Sequence, residues 1–360
     1  MLKILQIVSN MNYGGVETVV MNYYRNMDRS NLQMDFACYS IVDELQEEIE
    51  NNHGRIYRIS NKNRHPFRRF KEISKILKEN NYDIIHVHSD SASLFLELFA
   101  AKLAKTKIRI AHSHNTNCFV KWQHYLLRPF LPLVANVYFA CSKKAGEWMF
   151  PKNDFIVITN GIDFNKYAFN DEKRKTMRKE YKWDNHFIIG NVGNYQASKN
   201  QIFLVKLMPA LIKKIPEIKL ALAGSYSSEA KEYVDNNNLN EYVDFLGIRK
   251  DIPDVLQGYD VFVFPSLFEG NPSAVTEACA NNLPCIISDQ TYEAMNSINF
   301  NKHFYHLPLQ EEKWIDKIEE LYNLKITKHK LDKQTIAESG FDIKVLGNEL
   351  VKLYEDINTY

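Results

Sequence analysis

A chain of 360 residues, 45% hydrophobic and 25% charged, is long enough to bury two cores, and its 13 Gly and 11 Pro are too few for a linker-like or collagenous sequence. Lys and Arg number 45 against 44 Asp and Glu, a net charge of +1, so bulk charge marks no nucleic-acid partner and any membrane contact must come from local clustering. Five widely spaced cysteines (Cys38, Cys118, Cys141, Cys279, Cys285) without a CxxC pair argue against a disulfide framework or a zinc knuckle and fit a reducing cytoplasm.

The apolar run before Ser9 is too brief for a signal peptide, and Arg128, Pro129, Pro132 and Asn136 interrupt the most apolar later stretch, so neither export nor a spanning helix is expected. Short β-rich runs alternate with amphipathic ones, the pattern of βαβ units. A first series has strands near 3–8, 34–39, 55–59, 84–88, 108–112, 137–141 and 155–158. A second has strands near 187–192, 219–223, 243–246, 261–265 and 285–288. The charged stretch 171–184 reads as an exposed connector or short helix at the boundary. The expected domains are residues 1–165 and 180–340, with a final amphipathic helix at 341–360 that packs back onto the first. Two doubly wound α/β domains facing across a cleft would bind a ligand at the carboxyl ends of both sheets.

After the first strand, Gly14 and Gly15 open a helix. A glycine pair there allows close ligand approach to free amides, or serves a tight turn of positive φ. The pairs His86/His88 and His112/His114 close two successive strands, each pair on one face. They suit either a metal or hydrogen-bonded cleft histidines, and the lack of a DxD pair or HExxH favours the latter, with His114 as the functional one. Lys62, Arg64, Arg68, Arg69, Lys71 and Lys75 interleave with Phe67 and Phe70, and Lys121, Trp122, His124, Tyr125 and Arg128 form a second mixed segment. Both read as solvated faces or as contacts to an anionic membrane. Following the strand 187–192, the run Gly193 to Asn200 places Asn194 in the loop and Lys199 where it can reach a diphosphate. In the segment 265–280 (PSLFEGNPSAVTEACA), Asn271 is expected as N-cap and Pro272 as the first helical residue. The amides of Ser273, Ala274 and Val275 then form an anion site flanked by Glu269, Gly270 and Glu277.

The motifs GGVE (14–17), DIIHVHS (83–89), AHSHNT (111–116), TNGID (159–163), VGNYQASKN (192–200), FLGIRKDIPDVL (245–256) and PSLFEGNPSAVTEA (265–278) resemble those of retaining GT-B glycosyltransferases of family 4, of the bacterial exopolysaccharide and capsule type. The resemblance covers essentially the whole chain. It implies that Gly14 and Gly15 face the donor diphosphate or the acceptor, that His114 lies near the donor sugar and that Lys199 contacts the diphosphate. By the same resemblance Glu269 holds sugar hydroxyls and Glu277 the nucleotide ribose. The family often carries Arg where this chain has Asn194, and Arg249 is the expected substitute if it turns inward.

The reading that follows is a cytoplasmic enzyme, at the inner face of the membrane. It would move a hexose or N-acetylhexosamine from a UDP-sugar donor to a lipid-linked saccharide with retention, using no metal and no cofactor. The competing readings are a hydrolysing nucleotide-sugar epimerase of the same fold and a catalytically silent nucleotide-sugar-binding scaffold.

Overall fold

In the computed structural model, which describes residues 1–12 and 14–359, the chain forms two compact units, one of residues 1–161 with 343–360 and one of residues 162–342. Tyr13, within the expected glycine turn, and Tyr360, at the end of the expected final helix, lie outside the described residues.

In the first unit, β1 (Leu2–Ile7), β3 (Leu32–Cys38), β5 (Ile56–Arg58), β6 (Ile84–Ser89), β7 (Ile108–Ser113), β8 (Val137–Ala140) and β9 (Ile156–Val157) form one parallel sheet of order β5-β3-β1-β6-β7-β8-β9. Two short strands that the sequence pattern does not show, β2 (Asn10–Met11) and β4 (Ser40–Ile41), pair beside it. Alternate residues point to opposite faces, so Ile4, Met34, Phe36 and Ile84 enter one buried cluster while Leu5, Ile7, Ala37 and Ile85 enter another. The final helix, Ile343–Thr359, closes the first cluster with Ile343, Leu350 and Tyr354. It comes so near the helix Gly15–Asn26 that a Cβ on Gly347 would stand 2.8 Å from the Asn26 carbonyl oxygen, an approach only glycine permits.

The second unit contains β10 (Phe187–Val192), β11 (Ile218–Ala223), β12 (Val243–Gly247), β13 (Val261–Phe264), β14 (Cys285–Ser288) and β15 (Phe304–Leu307), all parallel in the order β12-β11-β10-β13-β14-β15. The edge strand β15 has no counterpart in the sequence pattern, because its half-buried residues alternate weakly. The charged stretch is no mere connector. Residues Asp171–Glu180 form a helix of this unit, with Arg174 and Arg178 paired to Asp260 at 2.5 and 3.1 Å and Trp183 fully buried behind them. Its density of charge conceals two guanidinium groups that are satisfied internally, Arg178 also donating to the carbonyls of Gly258, Trp183 and His186.

Candidate active site

In the second unit strand order reverses between β10 and β13, and in doubly wound sheets ligands bind beyond the carboxyl ends at such a reversal. The loops leaving these two strands carry Lys199 and Glu269. Lys199 sits in a short helical turn, Ala197–Lys199, and Nζ donates to Glu269 Oε1 at 2.8 Å. Ser266 Oγ lies 2.5 Å from the same carboxylate oxygen and 2.8 Å from the Ser198 carbonyl, while the Leu267 amide also donates to Ser198. The two loops are thereby bound to each other, so cation and carboxylate are held in place by backbone. Glu269 and Ser266 are buried, and an ion pair shielded from water in this way is stronger than one on the surface.

The loop after β10 rests on Gly224. Its φ is +122°, and a Cβ at this position would stand 2.3 Å from the Gly193 carbonyl oxygen, so no other residue fits. Asn194 Oδ1 accepts from the Ser225 amide at 3.3 Å. The expectation for Arg249 needs correction. Asp251 takes its guanidinium in two bonds of 2.6 and 2.8 Å, and Glu180 lies 3.9 Å away, so the nearest carboxylates hold it in its own loop. Asn271 is likewise not the N-cap: the helix is Ser273–Ala280, with Pro272 at the cap and no capping side chain. The Val275 amide donates to the Pro272 carbonyl at 3.1 Å, so of the three expected amides those of Ser273 and Ala274 have no acceptor among the described residues. Gly270, Asn271 and Pro272 are buried as the chain enters this helix. Glu277, on its second turn, is 8% exposed; burial raises its pKa, and a hydrogen bond from Tyr167 with the nearby Lys166 charge partly opposes the rise.

In the first unit the reversal lies between β1 and β6. Gly14 caps the helix Gly15–Asn26 with extended backbone, and neither glycine has positive φ, so the tight-turn reading fails. A Cβ on Gly15 would meet nothing within 4 Å, whereas one on Gly14 would strike the Glu17 carboxylate. Burial pushes Glu17 up to about 7.

Adjacent pairing of β6 and β7 sets His88 beside His112, and the four histidines form one stack in which His86, His88 and His112 are buried and His114 is half-buried. His88 Nδ1 is 2.8 Å from His114 Nε2 and His88 Nε2 is 2.7 Å from Gln6 Oε1. His86 Nδ1 is 2.7 Å from the Tyr354 hydroxyl and His86 Nε2 is 2.9 Å from His112 Nδ1. Ring nitrogens of His86, His88 and His112 lie within 4.8 Å of one another, a spacing open to a metal ion. Those of His86 and His88 are, however, all engaged in hydrogen bonds that an ion would have to displace. Burial lowers all four rings, His114 to about 3.

The basic-aromatic segments divide. Arg69 turns inward to a buried pair with Glu97 at 2.7 Å, and Lys62 donates to Ser93 at 2.7 Å. His124 is buried against Trp148. Phe67, Phe119, Trp122, Tyr125, Leu126, Phe130 and Leu133 are exposed. The sequence reading missed Ser266, Tyr167, Gln6 and Tyr354. Gln6 alone left a signal, as the polar member of the otherwise apolar end of β1.

The group 1 glycosyl transferase model matches residues 172–338 and the glycosyltransferase family 4 model residues 13–166. The Bacillus subtilis protein named glycosyltransferase EpsF is 32% identical over 98% of this chain and 96% of its own length. This chain belongs to the GT-B glycosyltransferases. This glycosyltransferase is also 26% identical to the capsular polysaccharide glycosyltransferase CapH of Staphylococcus aureus, over 98% of the chain and 99% of the relative, so its type is that of bacterial polysaccharide biosynthesis. An Escherichia coli enzyme named UDP-Gal:α-D-GlcNAc-diphosphoundecaprenol α-1,3-galactosyltransferase is 29% identical over 60% of each chain. Among solved structures, Anabaena Alr3699/HepE in complex with UDP and glucose aligns over 99% of this chain and 100% of its own, with a TM-score of 0.79 at 17% identity, which shows a shared fold.

Proposed function

We propose that this glycosyltransferase moves a hexose or N-acetylhexosamine from a UDP-sugar to a lipid-linked saccharide, with retention and without a metal ion, at the cytoplasmic face of a membrane. The observation that carries the reading is the Lys199–Glu269 pair at the strand reversal, with Glu277 buried one helix turn beyond the two open amides. A donor offers each partner a substitute. Its diphosphate takes Lys199 and the amides of Ser273 and Ala274, while the sugar hydroxyls donate to the released Glu269 and the ribose hydroxyls to Glu277. In the first unit, Gly15 leaves its backbone open to a ligand and His114 is the group offered to a sugar hydroxyl.

With Glu269 and Glu277 assigned to sugar and ribose hydroxyls and no carboxylate assigned as a nucleophile, we infer front-face displacement. The anomeric carbon–oxygen bond to the diphosphate breaks as the acceptor oxygen bonds on the same face, and the acceptor proton passes to the departing phosphate oxygen. Lys199 and the amides stabilise the charge that grows there, the main catalytic contribution. The names of the Escherichia coli and Anabaena proteins, with UDP-linked donor, UDP and diphosphoundecaprenol acceptor, support the choice of substrates. No helix of the described residues is long and apolar enough to cross a membrane. The exposed aromatic residues of 119–133, with Lys121 and Arg128 between them, suit contact with an anionic surface.

The test is a panel of nucleotide sugars, each with and without a polyprenyl-diphosphate saccharide, followed by determination of the product's anomeric configuration. Acceptor-dependent transfer from a UDP-sugar with retention is expected. Turnover of donor without acceptor would replace the reading by the epimerase, and inversion would remove the front-face step.

A further inference from the structure

The histidine stack behind His114 is more ordered than its role as a core requires. Each neutral imidazole has one N–H and one lone pair, and both nitrogens of His86 and of His88 are spent on named partners. The directions of these bonds are set at Gln6. Its Nε2 donates to the Tyr354 hydroxyl at 3.2 Å and faces Met34 Sδ at 3.8 Å, two acceptors, which leaves Oε1 turned to His88. Oε1 can only accept, so His88 carries its proton on Nε2 and offers Nδ1 as a lone pair. His114, 2.8 Å away, must then donate from Nε2. On the other branch Tyr354, which accepts from Gln6, can donate its own proton to His86 Nδ1, and His86 then donates from Nε2 to His112 Nδ1. This branch ends in a buried Nε2–H of His112 that has no acceptor among the described residues. An unsatisfied buried donor is costly, and no alternative with this Gln6 orientation avoids it. Burial keeps the rings uncharged at neutral pH, so the single proton of each is the only variable.

We propose that Gln6 and His88 are positioning residues that fix His114 as the Nε2–H tautomer, so that its Nδ1 faces substrate as a hydrogen-bond acceptor. Among the described residues His114 Nδ1 has no partner. A bare imidazole nitrogen accepts from a hydroxyl, so the ligand group it selects is a sugar hydroxyl acting as donor, not a carbonyl or phosphate oxygen. This rests on the reading of His114 as the contact to the transferred sugar, but the tautomer itself belongs to the free protein.

The experiment is a long-range proton–nitrogen correlation spectrum of the whole chain labelled with nitrogen-15 histidine, His114 being assigned by its loss in His114→Gln. The expected spectrum shows His114 protonated on Nε2. In Gln6→Met, close in volume but without the amide oxygen, a second population protonated on Nδ1 should appear and kcat should fall about five- to tenfold, the scale of one lost neutral hydrogen bond. His112→Phe, at the far end of the other branch, should leave the His114 tautomer unchanged, which a general loosening of the stack would not. A wild-type His114 protonated on Nδ1, or a tautomer that Gln6→Met does not alter, overturns the proposal. The wild-type spectrum alone decides it if the variants do not fold. Full turnover in His114→Gln would instead remove the sugar contact and leave the tautomer assignment to the spectrum.

Discussion

Glu269 and Glu277 differ more in their surroundings than their shared residue type suggests, and the difference predicts separable defects. Glu277 lies beside Tyr167 and Lys166, whereas Glu269 is paired with Lys199. Glu277→Ala is expected to weaken UDP binding by about 1.5 to 3 kcal/mol, through ribose hydroxyls left without a charged acceptor. Calorimetry with UDP alone measures it, and an unchanged dissociation constant for the folded variant would take Glu277 out of the ribose role. Glu269→Ala should abolish turnover and donor discrimination while changing UDP affinity little, since UDP lacks the sugar; equal losses for UDP and UDP-sugar would contradict this division. At Asn194 the structure narrows an open choice. With Arg249 held by Asp251, no like charge from that side chain meets a new guanidinium, so Asn194→Arg should tighten donor binding by about 1 to 2 kcal/mol, offset in part by loss of the Ser225 amide contact. A titration showing weaker donor binding in Asn194→Arg than in wild type would remove the diphosphate from this corner.

At the scale of elements, the end of β1 and the adjoining ends of β6 and β7 share the histidine stack, and the stack sets an acid limit on stability. The four rings have folded pKa values below the ordinary 6.5, so between 6.5 and those lower values the unfolded chain binds more protons and stability falls as pH falls. Glu17 acts oppositely: its folded value of about 7 lies above the unfolded one, and its contribution is lost as pH rises from 4.5 through 7. The four rings outweigh Glu17 and the similarly raised Glu277, so the unfolding midpoint in urea should drop steadily below pH 6.5, more gently in His86→Gln than in wild type. Equal slopes in the two proteins would deny the stack this role. The elements themselves were largely legible, because parallel strands buried on both faces leave unbroken apolar runs such as Val261–Phe264. β15 and the short pair β2 and β4 were not, being half-exposed or two residues long. At Asp171–Glu180 the short helix was among the readings but its packing into the second unit was not, since Arg174 and Arg178 look like solvated charge until Asp260 is seen beside them.

For the whole molecule, the proposed metal independence is the prediction with the widest reach. If Lys199 and the amides of Ser273 and Ala274 stabilise the leaving diphosphate, transfer should continue at its full rate in excess chelator. Loss of activity restored by one divalent ion would bring the ring nitrogens of His86, His88 and His112 back as ligands. Sequence alone determined the two-sheet class and the family, and it named the candidate site residues, since glycines, histidines and glutamates at fixed distances from strand ends are local features of the chain. Tertiary structure alone decided which of them meet. The Lys199–Glu269 pair joins residues 70 positions apart, Tyr354 reaches His86 across 268, and Arg249 is lost to Asp251 only two residues away. Such outcomes depend on which loops a strand reversal brings side by side and which charge a neighbouring carboxylate takes first, and neither is written in the spacing of residues along one strand or helix.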